Sequence, residues 1–237
     1  MEKKILEKPV VISLGGSMLF DEKGNFDLNY ITEFSALLLK LRKEGMRFVV
    51  AVGGGKIAKD YCNAVRELRG SEFLADRIAI MATRMNALLL ISVLGDQAYQ
   101  KVITDLDEAP NVLAMGLIPV GAGIIEGVTT DTASTLLAEL VNAGALVNVS
   151  NIDAIYSDDP KKNLKAEKFR EMTHRQLAEL AAAQDKRVAR TNFPFDLMAC
   201  KLAMRSNIPI HFVYGKNLNE VEKALTGKEH AGTVVKD

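Results

Sequence analysis

Short apolar runs ending at glycine alternate along this chain with longer stretches whose apolar residues recur every three or four positions. Residues 9–14 (PVVISL) and 48–52 (FVVAV) are unbroken and rich in valine, the pattern of strands buried on both faces. Further strands are predicted at 102–103, 117–120, 145–149, 208–214 and 233–235. The last is expected at a sheet edge, and Pro209 is tolerated at a strand's start. Helical spacing marks 30–44, where Ile31, Phe34, Leu37, Leu38 and Leu41 form one stripe. Helices are also predicted over 56–68, 71–94, 106–114, 131–143, 173–183, 195–206 and 218–225. Ser71 with Glu72 suits one helix start, and Thr130 suits an N-cap for the helix at 131. Residues 150–163 read as a polar loop, and 185–190 as a charged stretch expected to be mobile. Strands alternating with helices predict an α/β fold with a mostly parallel central sheet sandwiched by helices.

Glycine then concentrates the candidate chemistry. Gly15 and Gly16 end the first strand, Gly53 to Gly55 the second, and Gly121, Gly123 and Gly127 follow the run at 117–120. Glycine lets the backbone turn sharply and leaves amides open to a ligand. A helix opening there aims its unsatisfied N–H groups and positive end at the same turn, which suits a phosphate. Lys56 adds a full charge. In a parallel sheet all these turns, and the loop after 149, gather on the carboxyl edge of the strands. Together they make a long cleft fit for a chain of phosphates. Gly55-Lys56 is not a P-loop, because Ile57 stands where a magnesium-binding Ser or Thr belongs. Gly53 to Ala58 fits a loose G-x-G-x-x-A, with Glu72 and Asp76 about 20 residues on, so a dinucleotide reading stays open at this point.

Composition narrows the partners. The chain's 237 residues are 48% hydrophobic and 25% charged, and Lys plus Arg (30) equals Asp plus Glu (30). A zero net charge argues against nucleic acid or an acidic membrane surface, so phosphate must be held locally. Cys62 and Cys200 lie far apart without metal-ligand spacing and read as buried fillers of a reduced cytoplasm. The first eight residues lack the apolar core of a signal peptide, and no apolar run reads as long enough to span a bilayer. Asp76, Arg77 and Arg84 interrupt an apolar helix and need partners. His174, His211 and His230 sit in unrelated contexts and read as structural or solvated.

Five stretches carry a resemblance: Ser13-Leu-Gly-Gly-Ser17, Val52-Gly-Gly-Gly-Lys56, Asp76 with Thr83-Arg-Met-Asn-Ala87, Thr129-Thr-Asp131, and Ser150-Asn-Ile-Asp-Ala-Ile-Tyr-Ser-Asp-Asp-Pro160. In this order and over nearly the whole chain, the sequence resembles the amino acid kinase superfamily and, within it, the archaeal-type uridylate kinases. The resemblance implies one domain (1–237), with an acceptor lobe over about 1–144 and an ATP lobe over about 145–237. It implies transfer of the ATP γ-phosphoryl to UMP, a step of pyrimidine nucleotide synthesis. Carried over by position, Gly16, Ser17, Gly55 and Lys59 face the ATP phosphates, and Ser150, Asn151, Tyr156 and Asp159 line its nucleoside. Gly54, Asp76, Ile124, Gly127, Thr129 and Thr130 hold UMP, with Asp76 on the ribose.

Lys56 and Asp131 are the expected catalytic pair, Lys56 stabilising the transferring group and Asp131 orienting a lysine or magnesium, as Asp153 can also do. Magnesium is expected to arrive with ATP, and no residue is assigned as its ligand. A homo-oligomer, a hexamer by family analogy, follows from the resemblance, with the helix at 71–94 as its contact. Four departures stand out. Ser13 replaces a lysine common in the superfamily, and Lys59 a usual arginine. Ala154 replaces a glycine, and the loop at 123–128 carries two isoleucines and Glu126 where a polar loop is usual. The alternatives are a divergent superfamily kinase acting on another phosphate or carboxylate acceptor, or a non-catalytic nucleotide-binding protein.

Overall fold

The computed structural model describes residues 8–158, 163, 165–184 and 195–237. Strands β1 (Val10–Leu14) and β2 (Phe48–Val52) are buried at every position and pair in parallel, Val10 opposite Phe48 and Leu14 opposite Val52. Strand β3 (Val120–Gly121) lies beyond β2, and β4 (Ala145–Ser150) flanks β1 on the other side. Then come β5 (Glu171–Met172), β6 (Ile210–Tyr214) and β7 (Thr233–Val235). The sheet order is β3-β2-β1-β4-β6-β7-β5, with only the β6–β7 pair antiparallel.

Eight helices among the described residues cover the two faces: α1 (Leu28–Lys43), α2 (Gly55–Glu67), α3 (Glu72–Leu94), α4 (Glu108–Ala114), α5 (Thr130–Leu140), α6 (His174–Gln184), α7 (Leu197–Ser206) and α8 (Leu218–Leu225). The two-residue alternation of a strand divides the core. Ile12, Leu14, Val50 and Val52 point into a cluster with Phe34, Leu38, Leu90 and Val221 from α1, α3 and α8. Val11, Val49 and Ala51 point into the other, with Leu137, Leu177 and Ala203 from α5, α6 and α7. Each fully buried side chain of the size of Phe34 or Leu38 contributes roughly 2–3 kcal/mol.

Several boundaries depart from the sequence reading. The predicted edge strand β7 is interior, because the two-residue β5 pairs outside it and is too short to show periodicity. Residues 102–103 contribute a single bridge, Ile103 to Gly121, and the run at 117–120 a bridge from Ile118 to Ala98 before β3. The N-cap of α5 is Thr129, whose hydroxyl accepts the Thr132 N–H at 3.1 Å, and Thr130 is the first helical residue. The predicted stretch at 185–190 lies outside the described residues. Residues Glu72–Gln97 are, by length and a mean hydropathy of 1.8, apolar enough to cross a membrane, which corrects the expectation that no run is. That apolar length instead packs α3 against α2, α1 and β2.

The histidines also differ from expectation. His211 Nδ1 lies 2.9 Å from His230 Nε2, and the Gly232 N–H donates to His230 Nδ1 at 3.1 Å. The second bond leaves the His230 proton on Nε2, which then donates to His211, so both rings are neutral. Burial pushes the His211 ring down to about 4 and also lowers His230. An unfolded histidine titrates near 6.5, so the unfolded chain binds more protons between the two values, and stability is lost as pH falls through that window. Because Asp131 acts with the opposite sign over the same window, the test is a difference: thermal melts at pH 7 and pH 5 should show the Tm of His211→Gln rising relative to that of the wild type as the pH falls. His174 is separate, with Nε2 2.7 Å from the Ile208 carbonyl at the base of β6.

Candidate active site

The turns after β1, β2 and β4 meet on one edge. Gly15 donates to the Val149 carbonyl at 2.8 Å, and Gly53 to the Leu14 carbonyl at 2.9 Å. A short 3₁₀ turn, Gly16–Leu19, then lies directly on the second glycine loop. A Cβ on Gly16 would overlap the Gly53 carbonyl oxygen and the Gly55 amide nitrogen, and a Cβ on Gly55 would overlap the Gly16 carbonyl. Gly55 also has a φ of 58°, the left-handed region that glycine alone enters freely. The two loops thus interlock backbone to backbone, which no side chain permits.

A cavity of about 590 Å³ opens at this junction. It is walled by Gly16, Ser17, Gly55, Lys56, Ala58 and Lys59, with the 20–24 segment opposite. It sits at the start of α2, where helix amides and dipole favour an anion. Lys56 is half exposed, ion-paired with Asp60 one turn on, and its methylenes lie over Gly24. The floor behind the 3₁₀ turn is fastened by Lys216, from the loop after β6. Its Nζ donates to the carbonyls of Met18 (3.0 Å) and Phe20 (3.3 Å) and to Asp27 (2.7 Å), and lies over the Tyr30 ring. The Lys216 hydrogen bond holds the Asp27 carboxyl below its usual range.

A second cleft of about 390 Å³ shares α2 as a wall. Cys62, Arg66, Asp76, Thr83, Thr129 and Thr130 line it, with Gly123, Ile125, Gly127 and Val128 closing it. Helix α3 straps the 123–127 loop in place. Thr83 accepts the Gly123 N–H at 2.8 Å, Asp76 accepts the Gly127 N–H at 3.1 Å, and Arg77 pairs with Glu126 at 2.9 Å. These contacts give Asp76, Arg77 and Thr83 their partners; Arg84 reaches the same loop only at 3.5 Å, through Nη2 to the Gly123 carbonyl, with its Nε unpaired. The Arg77 contact also turns Glu126 into an ion pair, leaving Ile125 and Val128 as the apolar wall.

Asp131, the second residue of α5, lines neither cavity but bridges to β1 and β4. Its carboxylate accepts from Ser13 (3.1 Å) on β1 and Asn148 (3.0 Å) on β4. Burial, then the charge of Asp196, push it up to about 7 against those two hydrogen bonds. Asp196 caps α7 through the Ala199 N–H at 3.0 Å and accepts the hydroxyls of Thr129 and Thr132. It ties the start of α5 to the start of α7. Beside Asp131, the Asn148 Oδ1 is buried without a hydrogen-bond partner, as is the Ser150 Oγ at the end of β4.

The predicted site residues therefore fall into groups. Gly16, Ser17, Gly55, Lys56 and Lys59 line the first cavity, and Asp76, Gly127, Thr129 and Thr130 the second. Gly54 and Ile124 line neither; the Gly54 carbonyl accepts from Asn86 at 3.2 Å, and Ile125 takes the wall position. Ser150, Asn151 and Tyr156 stand apart on and after β4. The Tyr156 hydroxyl donates to Asp153, which also takes Lys168 at 2.8 Å. Burial opposes ionisation of Asp153, but those hydrogen bonds outweigh it and keep its carboxyl below the usual range. The lysine that Asp153 meets is Lys168, outside both cavities, not Lys56 or Lys59. Asp159 lies outside the described residues. Arg66, Asp196 and Lys216 were missed: Asp196 and Lys216 act across long sequence separations that no local pattern marks, and the signal for Arg66 was its place on the α2 stripe with Lys59 and Cys62.

Interlocked glycine loops at a helix start, two lysines and a neighbouring cleft define a phosphate-handling α/β protein. The amino acid kinase family model matches residues 8–214, and the chain belongs to that family. Within it the chain is similar to uridylate kinases. That of Methanocaldococcus jannaschii is 37% identical over 228 residues, 95% of this chain and 98% of its own. That of Archaeoglobus fulgidus is 39% identical over 226 residues, 95% of this chain and 99% of its own. The crystal structure of the A. fulgidus uridylate kinase superposes with a TM-score of 0.82 over 96% of this chain and 99% of that one. The fold alone is shared with the UMP kinase of Bacillus anthracis, at 24% identity and a TM-score of 0.80.

Proposed function

We propose that this chain transfers the γ-phosphoryl group of ATP to UMP, giving ADP and UDP. The observation that carries the reading is the pair of cavities along α2, one built for a phosphate chain and the other for a small acceptor, in a chain similar to uridylate kinases over 95% of its length. A phosphate oxygen of UMP attacks the γ-phosphorus, the bond to the β-bridging oxygen breaks, and ADP leaves. That oxygen is already ionised, so no general base is required. The protein's work is alignment and charge neutralisation. Backbone amides of the interlocked loops hold phosphates without reorganising, Lys56 and Lys59 offset the charge of the transferring group, and the α5 start fixes the acceptor.

Magnesium supplies further charge neutralisation when it arrives with the nucleotide. The described residues hold no group of three acidic, histidine or cysteine side chains. Asp131 and Asn148 carry hard oxygen acceptors of the kind that magnesium and its waters use, but neither lines a cavity, so no residue is assigned to the ion. The acceptor lobe is assigned to about 1–144 and the donor lobe to about 145–237. Ser150, Asn151, Tyr156 and Asp159 are assigned to the donor nucleoside, with Gly54 and Ile124 beside the acceptor. The chain also pairs with a second copy through α3, where Leu74, Met81, Met85 and Leu88 are each about half exposed on one face. Mass in solution tests that contact, and a monomer at micromolar concentration contradicts it.

Asp76→Ala should raise KM for UMP about tenfold or more, with kcat and KM for ATP little changed, in steady-state kinetics. The function itself is tested by product identity. Incubation with γ-labelled ATP, magnesium and UMP should place the label on the β-position of UDP, and label appearing only as free phosphate would refute it.

A further inference from the structure

The second cleft contains two charged side chains of opposite kind, Asp76 on α3 and Arg66 on α2. Arg66 lies one helical turn past Cys62 on the stripe that begins at Lys59, so Lys59, Cys62 and Arg66 share a face. Seven residues of helix separate Lys59 from Arg66, about 10 Å of rise, the length scale of a nucleoside monophosphate. Helix α2 thus runs from the phosphate cavity at its start to Arg66 near its end. The guanidinium is held in place by Glu72, which takes Nε and Nη2 at 2.7 Å each. That fork leaves Nη1 outside the ion pair, on a side chain that lines the cleft.

From this placement we infer that Arg66 is a base-reading residue, which selects an acceptor base carrying a carbonyl oxygen at its far edge. The inference rests on the nucleotide kinase reading above and deepens it. Ribose hydroxyls are donors and suit the Asp76 carboxylate, one oxygen of which already fixes the loop at Gly127. The acceptor phosphate suits the glycine loops and the start of α5. A base remains, and Ala79, Ile80, Ile125 and Val128 offer apolar surfaces for its ring. Guanidinium is a donor in every N–H and never an acceptor. Uracil presents an acceptor oxygen at the position where cytosine presents an amino group. A fixed donor therefore favours UMP over CMP, because CMP would place two donors face to face.

The test is the ratio of kcat/KM for UMP to that for CMP in the wild type, R66M and R66K. The ratio should fall about tenfold or more in R66M, mainly through loss of UMP turnover. R66K keeps a donor-only cation and should retain most of the preference. A purely structural Arg66–Glu72 bridge would lower both activities together and leave the ratio unaltered, which overturns the inference, as does an R66K ratio that falls as far as that of R66M. A wild type with no UMP-dependent turnover sinks the proposed function and this inference with it. A wild type active on UMP whose ratio R66M leaves intact overturns this inference alone.

Discussion

Asp131→Asn should lower kcat about 100-fold or more while making the protein more stable at pH 8. The two effects have one cause. Asp131 is buried and faces the charge of Asp196, and the hydrogen bonds from Ser13 and Asn148 do not offset this, so its carboxyl is pushed up to about 7 from near 3.8. Between those values the folded chain holds a proton that the unfolded chain has released. The stability linked to this group is therefore full below about pH 4 and lost as pH rises through about 7. The asparagine amide fills the same space, still accepts from Ser13 and Asn148, and carries no charge to desolvate. Its advantage should be smallest below about pH 4 and grow by roughly 2–4 kcal/mol by pH 8. Preorganised charge at a phosphoryl-transfer site is worth factors of about 100 to 1,000 in rate, and that is what the variant gives up. Thermal melts across pH 5 to 8 with parallel kcat measurements check both halves. A variant less stable than the wild type at pH 8 would contradict the burial argument.

Gly16→Ala should cost about 3 kcal/mol or more and raise KM for ATP sharply. Overpacking is relieved cheaply only where the neighbour is the end of a flexible side chain. Here both neighbours are backbone, the Gly53 carbonyl and the Gly55 amide. The added methyl must push the two glycine loops apart, and those loops form the phosphate cavity. For a chain of this size the loss corresponds to a fall in Tm of about 6–12 °C. Gly116→Ala is the control. Gly116, which follows α4, has a positive φ of 74°, as Gly16 does not, and nothing stands near its missing Cβ. Its substitution should cost only about 1 kcal/mol and leave ATP kinetics alone. Equal effects at the two glycines would show that the close approach of the loops at Gly16 costs no more than an ordinary backbone penalty, against the interlocking account.

Much of this arrangement was legible in the sequence because its signals are local. Residues 10–14 and 48–52 are apolar at every position since both faces of their strands are covered, and the glycine turns follow directly. Lys56, Lys59 and Gly55 share a cavity because they share a helix start. Asp76 and Arg77 reach the 123–127 loop from α3, and their charges in an apolar stretch announced partners without naming them. What stayed hidden depends on contacts between distant segments. Strand β7 is interior only because a two-residue strand some 60 positions earlier pairs outside it. The His211–His230 pair spans 19 residues and the Lys216–Asp27 contact 189, and no periodicity records either. Thr129, not Thr130, caps α5 because Asp196 of α7 draws its hydroxyl to the helix start. The perturbed Asp131 likewise follows from its burial and from the charge of Asp196, brought beside it from the start of α7.

The central claim, that the two cavities along α2 serve ATP and UMP, is tested most directly by ADP release from ATP and magnesium against UMP, CMP, AMP, GMP and isopentenyl phosphate. The account predicts turnover with UMP well above every other acceptor. Turnover with isopentenyl phosphate or a purine nucleotide in preference to UMP, or none with any acceptor while ATP still binds, would contradict it.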